Sequence, residues 1–333
     1  MKYLRVKLRL SSPLGTPLVA DTLFGHLCWG LALHEGEQAL ADLLCEMKSG
    51  EPPLVISDPL PEGFLPAPVL PQPAAEAYDD LIDELRRAGC STIEAHDRAR
   101  QALRTEWIPL DAWSAVADNL DPTTIARVAL RSETQAQLPV SATVSHNTID
   151  RLTGRPREEG GLFFDELSFP PENCRYEVWV RTRFSADRLR QLFEWALEGG
   201  YGRDASTGKG RLEILDVADT EPLGATAPNG FVTMGVCAPD AGDPVDGYWR
   251  AEVRHGRLGG PWAVAGEDQS TVFKYPVILL ARGAVFRCDQ PPAFLGRVVP
   301  DVHPTRPEVV TYALTLTMPV RLTKEAFPCQ HTI

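Results

Sequence analysis

Gly199-Gly200-Tyr201-Gly202-Arg203-Asp204-Ala205-Ser206-Thr207-Gly208-Lys209-Gly210 is the stretch whose reading decides the architecture. Five of its twelve residues are glycines, interleaved with two cations, a tyrosine and two hydroxyls. Glycine accepts φ > 0 and lets a backbone approach a ligand closely, and successive N–H groups in such a turn can form an anion-binding concavity. The nucleotide-hydrolysis pattern G-x-x-x-x-G-K-[ST] fails, because five residues separate Gly202 from Gly208 and Gly210 follows Lys209. A dinucleotide fingerprint fails too, since Ala205 stands at the third glycine position. The flanks also run in the opposite order. Before the loop, Phe184 to Leu197 reads as a helix, with Leu189, Leu192, Phe193, Ala196 and Leu197 on one face and Ser185 as cap. After it, Arg211 to Leu215 alternates like a strand. Two readings stay open: a phosphate cradle strengthened by Arg203 and Lys209, or a plain helix-to-strand connector, because glycine past a helix end is an ordinary stop.

Working outward, 333 residues suffice for two domains or one elaborated domain, and 44% hydrophobic with 23% charged residues describes a globular chain. No apolar run approaches the ~18 residues of a membrane span, and the charged, alternating N-terminus does not read as a signal peptide. Seven scattered cysteines without C-x-x-C predict a reducing cytoplasm, with no disulfide framework and no structural metal. The net charge of −12 argues against a uniformly basic nucleic-acid binder. It is local, however: the segment from Glu35 to Asp97 carries fourteen acids against three bases, and the remainder is close to neutral. A basic groove elsewhere is therefore permitted.

The first strand has a clean period of two. Leu4, Val6, Leu8 and Leu10 share one face and Lys2, Arg5, Lys7 and Arg9 the other, which suits either a solvated sheet surface or one that meets phosphate. Asp21 is placed to cap a helix that turns Leu23, Phe24, Leu27 and Leu31 inward. A second amphipathic stretch comes next at Glu37–Met47, then a proline-dense segment at 51–73, then an acidic helical region at 74–104 broken by Trp107-Ile108-Pro109-Leu110. From 131 to 169 helical period is lost, and strand-like runs around a Gly/Pro/charge-rich tip predict a projecting hairpin. Residues 174–182 alternate as a strand, and the last third gives strand signals at 231–237, 248–254, 277–286 and 309–322. The β-α-β-β order predicts an α+β fold with an antiparallel sheet of ferredoxin-like type.

Three stretches in order carry a resemblance: Asp21-Thr22-Leu23-Phe24-Gly25-His26-Leu27; His146-Asn147-Thr148-Ile149-Asp150-Arg151-Leu152-Thr153-Gly154 followed by Gly160-Gly161-Leu162-Phe163; and the glycine loop ending Ser206-Thr207-Gly208-Lys209-Gly210. The chain resembles the RAMP proteins of type III CRISPR effectors, and within them the fourth-subunit family of type III-A Csm complexes. That resemblance implies two ferredoxin-like, RRM-related modules with a thumb hairpin. They would be an N-terminal RAMP module at 1–170, holding a helical insertion near 74–120 and the thumb near 140–168, and a C-terminal ferredoxin-like module at 171–333 carrying the glycine loop. It implies a non-catalytic subunit that caps the 5′ tag of the crRNA, lies beside the guide–target duplex, and joins the large polymerase/cyclase-like subunit to the first backbone RAMP subunit. No cofactor, metal or membrane is implied.

On this reading Asp21, Thr22, Gly25 and His26 contribute from the first helix, and His146, Asn147, Arg151 and Arg155 from the thumb. Gly200, Tyr201, Gly202, Arg203, Ser206, Thr207, Gly208, Lys209 and Gly210 contribute from the loop, with Tyr201 either stacking a base or packing on the helix end. Two rivals stand beside it. One is a crRNA-processing RAMP endoribonuclease using His26 or His146 as general acid or base. The other is a scaffold without RNA contact.

Overall fold

The computed structural model describes residues 1–155, 161–263, 271–324 and 326. The chain opens with β1 (Lys2–Leu10), α1 (Ala20–Glu35) and α2 (Glu37–Met47), followed by the short strands β2 (Leu54–Ile56), β3 (Leu60–Pro61) and β4 (Phe64–Pro66). A helical region contains α3 (Ala75–Arg87), α4 (Thr92–Leu103), β5 (Trp107–Pro109), α5 (Trp113–Ala117) and α6 (Pro122–Arg131). The arm consists of β6 (Val140–Asn147) and β7 (Leu162–Phe169), after which come β8 (Arg175–Thr182), α7 (Ala186–Leu197) and β9 (Leu212–Asp219).

The first sheet has the order β2-β8-β1-β9, with β3 also on β8, and every neighbour is antiparallel. Its elements come in the order β1-α1-β2-β8-α7-β9, a β-α-β-β-α-β unit. The inward face of β1 is the one its alternation predicts. Leu4, Val6 and Leu8 pair across to Val180, Val178 and Tyr176, and all lie in the core beneath α1 and α7. Burying each such aliphatic chain stabilises the sheet by about 1.5–3 kcal/mol. The outer face is not a bare cationic surface. Arg5 lies 3.3 Å and Lys7 3.6 Å from the Glu177 carboxylate, Lys7 donates to Glu62 at 2.9 Å, and Arg9 bonds Glu213. Carboxylates thus pair with three of the four cations, Arg5, Lys7 and Arg9, that could have met phosphate.

The first sheet crosses residue 170, the expected module boundary, because β1 takes its partners from residues beyond it. The first unit runs to about residue 219, and the glycine loop belongs to it. Beyond residue 219 lies a second antiparallel sheet, built from β10 (Gly230–Thr233), β11 (Gly247–Tyr248), β14 (Val285–Arg287), β15 (Phe294–Val299) and β16 (Thr311–Val320) in the order β11-β14-β10-β16-β15. A two-stranded sheet of β12 (Ala251–Arg254) and β13 (Val277–Leu280) accompanies it. Among the described residues α7 is the one α-helix in the expected 171–333 module, so beyond residue 219 the second sheet has none of its own. Instead it leans on a helix of the first, with Phe24 of α1 stacked on Tyr312 of β16 at 4.5 Å.

The helical insertion has its own small core of Leu81, Ile82, Leu85, Ala95, Ala99, Ala102 and Ala126. It extends past 120 to Arg131, because Asp121 caps α6 by accepting from the N–H groups of Thr123 and Thr124, with Pro122 in the first turn. The arm is an isolated ladder running from Val140 opposite Phe169 to Asn147 opposite Leu162. It joins the body through the paired backbone bonds between Leu14 and Ser168. Pro156, Arg157 and Gly160 of the expected tip lie outside the described residues.

Candidate nucleic-acid interface

The site begins where α7 ends. Ser185 accepts from the N–H of Arg188 and starts that helix as expected. Gly200 then adopts φ +84° and turns the chain back over the β1–α1 connection. From here the loop spends its amides inward. Tyr201 N–H donates to Gly210 O at 2.8 Å, Gly202 N–H to His26 Nε2 at 3.0 Å, Arg203 N–H to Thr16 Oγ1 at 2.9 Å and Gly210 N–H to Pro13 O at 2.8 Å. Thr207, Gly208 and Lys209 donate to carbonyls of Asp204 and Ala205. The expected row of solvent-facing N–H groups is therefore absent at 201–203 and 207–210. Glycine is required here to let the strands of the loop touch: a Cβ on Gly210, at φ +66°, would stand 2.0 Å from Tyr201 O.

Tyr201 is fully buried. Its hydroxyl donates to Pro17 O at 2.7 Å and accepts from Val19 N–H at 3.0 Å, bolting the loop to the start of α1. In this position the ring packs against the start of α1, which is the second of its two readings. His26 faces Tyr201 with ring centroids 5.3 Å apart. Since a backbone N–H can only donate, His26 Nε2 is the acceptor and carries no proton, and burial lowers its pKa to about 4. His26 thus positions Gly202 from within.

Asp21 is also reassigned. Val19 is the N-cap residue of α1, and Asp58, from another segment, accepts from Ala20 N–H through Oδ1 at 2.8 Å, while Asp21 Oδ1 accepts from Thr22 N–H and from Arg254 Nη2 at 3.0 Å. Asp21 therefore ties the first helix to the second unit. Asp58 is wholly buried, its Oδ2 has no hydrogen-bond donor and lies 3.6 Å from Arg282 Nη1, and burial raises its pKa to about 6. Thr22 and Gly25 are half-buried on the exposed side of α1's first turns.

The crest of the loop, Ser206, Thr207 and Gly208, is exposed, as is Arg203. Lys209 Nζ donates to Asp204 Oδ2 at 2.9 Å and lies 3.7 Å from Asp165 Oδ2; Arg203 Nη1 lies 3.5 Å from Asp165 Oδ1. These pairs hold the Asp204 carboxyl below its ordinary range, Lys209 contributing most. From the arm, His146 approaches Asp165 Oδ2 at 3.4 Å and stacks on Phe163 at 5.2 Å. The structure thus brings Arg203, Lys209 and His146 together through Asp165. Asn147, Arg151 and Arg155 stand apart, at the exposed end of the arm. Asp165, Asp204 and Phe163 were not among the expected site residues. The alternation of Leu162–Phe169 sets Phe163 and Asp165 on one strand face, which is the signal that could have found them.

No family model matches the chain, and a comparison with curated proteins finds no match. Solved structures do match. A chain in a crystal structure of a Csm1–Csm4 cassette in complex with AMPPNP is 18% identical, with a TM-score of 0.56 over 97% of this chain and 99% of that one. A Csm1–Csm4 cassette in complex with cA4 gives 17%, 0.56, 97% and 99%. A Csm3–Csm4 subcomplex of the type III-A CRISPR-Cas interference complex gives 14%, 0.53, 96% and 100%. The fold is that of chains in type III-A Csm assemblies. Csm4 is the component these assemblies share, and the Csm4-type fold extends over nearly the whole chain. Among the described residues no helix is long and apolar enough to cross a membrane, and no group of His, Cys, Asp and Glu is arranged to hold a metal ion.

Proposed function

We propose that this chain is a Csm4-type RAMP subunit of a type III-A effector, one that binds the 5′ tag of a crRNA without cutting it. The Csm4-type fold, shared across two different subcomplexes, carries the reading. On it, the first sheet with α1 and α7 is a ferredoxin-like module, the second sheet is a helix-poor partner module, and β6–β7 is the thumb beside the guide–target duplex. The large Csm1-type subunit and a Csm3-type backbone subunit are its protein partners.

Two features of the site support RNA binding. Arg203 and Lys209 flank an exposed, hydroxyl-bearing crest that suits phosphate and sugar contacts, and the arm presents aromatic side chains, Phe163 and Phe164, to solvent. Geometry also supports a non-catalytic role. His26 Nε2 is occupied by Gly202 N–H, and the Nε2 of His146 faces Asp165. Among the described residues, the carboxylate nearest His146 is Asp165, which also holds Arg203 and Lys209.

The test is filter binding of tag-containing RNA to the chain, alone and assembled with Csm1- and Csm3-type partners, over a salt series. Retention without cleavage is expected, with the salt slope reduced by up to about one for Lys209→Ala and for Arg203→Ala. RNA cleavage abolished by His26→Ala or His146→Ala overturns the non-catalytic reading in favour of the endoribonuclease. Absence of binding in every assembly leaves the scaffold.

A further inference from the structure

Asp165 belongs to the arm, yet its side chain reaches the loop. Its Oδ1 lies 3.5 Å from Arg203 Nη1, and its Oδ2 lies 3.7 Å from Lys209 Nζ and 3.4 Å from His146 Nε2. The Asp165 side chain is 19% exposed and the Lys209 side chain 17%, so the pair is half-buried and still open to solvent ions. Next to it, Arg203 Nη2 donates to Glu166 O at 3.3 Å. Among the described residues these contacts fasten the arm's β7 to the loop, while the backbone bonds of Leu14 and Ser168 hold it to the β1–α1 connection. Asp204 also holds both cations, but it lies within the loop and moves with them.

A carboxylate and a phosphodiester each carry one negative charge and each offer two acceptor oxygens to a pair of cations. The position of Asp165 Oδ1 and Oδ2, one oxygen toward each of Arg203 and Lys209, is the position two non-bridging phosphate oxygens would take. We propose that Asp165 is an internal stand-in for an RNA phosphate: it occupies the Arg203–Lys209 pair in the free chain and gives way when a phosphodiester takes that pair, unfastening the arm from the loop. The inference rests on the RNA-binding reading above. Exchange of one anion for another leaves the charge of the pair unchanged, so a lone phosphate gains little. A strand that also engages the released arm gains more, and Asp165 thereby sets both affinity and selectivity. The opposite role, an acid that orients the two cations for phosphate, predicts the opposite sign.

The experiment uses the full chain with Asp165→Asn, and with Asp204→Asn as the control. Asp204 sits at φ +60°, a conformation asparagine adopts readily. Binding is measured with a labelled single-stranded RNA, and hydrogen exchange is followed at β6 and β7 without RNA. Asp165→Asn is expected to bind about two- to fivefold tighter, the range one partly exposed ion pair supports, and to exchange faster in the arm. Asp204→Asn should leave arm exchange unchanged. Should Asp165→Asn not fold, the wild-type chain still decides the matter: raising salt to about 0.5 M, which screens such pairs, should speed arm exchange. Equal or weaker RNA binding with unchanged arm exchange overturns the proposal, as does salt-insensitive arm exchange in the wild type. Faster arm exchange with no RNA binding by any variant overturns the stand-in role together with the RNA reading, and leaves only an ion-pair latch.

Discussion

In the loop at 199–210, the N–H groups of residues 200–203 and 207–210 all end on protein acceptors, and a buried tyrosine runs through its centre. In the arm at 140–169, β6 and β7 bond one another, and the body holds them at Leu14–Ser168 and at the Asp165 ion pairs. Both regions carry glycines, hydroxyls and cations, and composition alone does not say how firmly either is held. The difference lies in where the backbone hydrogen bonds go. A glycine loop whose amides close on its neighbours is a rigid platform, whereas an isolated two-stranded ladder with exposed Leu162 and Phe164 has little to hold it and is only marginally stable by itself.

The sharpest way to break this comparison uses two glycines with the same backbone. Gly210 and Gly154 have φ of +66° and +64°, but a Cβ would strike Tyr201 O at 2.0 Å in the first and meet nothing within 4 Å in the second. Gly210→Ala should cost about 4 kcal/mol or more, and Gly154→Ala about 1–2 kcal/mol, the left-handed penalty alone. Urea unfolding measures both, and equal losses would erase the distinction between platform and ladder.

Next in size is a pH effect. His26 has a folded pKa of about 4 against 6.5, so the unfolded chain takes its proton first and stability is lost as pH falls from 6.5 towards 4. Asp58 has a folded pKa of about 6 against 3.8, so stability is gained as pH falls from 6 towards 3.8. Each is worth up to about 3 kcal/mol, and in the wild type they oppose one another over pH 4–6. His26→Gln should keep an acceptor for Gly202 N–H and remove the first contribution, so its stability relative to wild type rises as pH falls from 6.5 to 4.5. Urea midpoints at the two pH values check this, and parallel curves would mean that His26 does not anchor the loop.

Tyr201→Phe should cost about 1–3 kcal/mol, because it strands the buried Val19 N–H. Differential scanning calorimetry reads the loss; a variant as stable as wild type would show that the loop is held without its bolt. At the small end, Arg151→Ala and Arg155→Ala on the arm should change stability by less than about 0.5 kcal/mol, while weakening RNA retention in the filter assay. A larger stability loss would place the arm's end in the folded core.

The local features were legible in the sequence. The period of two in β1, the apolar stripe and Ser185 cap of α7, and the strand after the glycine loop all come from side-chain spacing and stand as expected. Asp121-Pro122 is an equally plain helix start, and α6 was missed because the apolar stripe behind it is short. What spacing could not show is long-range pairing. β1 meets β8 and β9 across most of the first unit, which is why a boundary at 170 looked natural and falls inside a sheet. The same holds at the site. Asp58 reaches the start of α1 from another segment, and Asp165 reaches Arg203 and Lys209 from the arm. Of the two carboxylates that hold Arg203 and Lys209, Asp204 lies in the loop itself and was legible there, whereas Asp165 lies some forty residues away.

The pairing of β1 also has a consequence for biosynthesis. Its two lateral partners, at 175–182 and 212–219, leave the ribosome long after it does. At about 5–20 residues per second, roughly 10–40 s pass before β9 joins β1 outside the exit tunnel. For that interval Leu4, Val6, Leu8 and Leu10 form an unpaired apolar edge on the nascent chain. Early docking of α1, whose Leu23, Phe24 and Leu27 share the same core, is the cover that this chain itself can supply until the sheet closes.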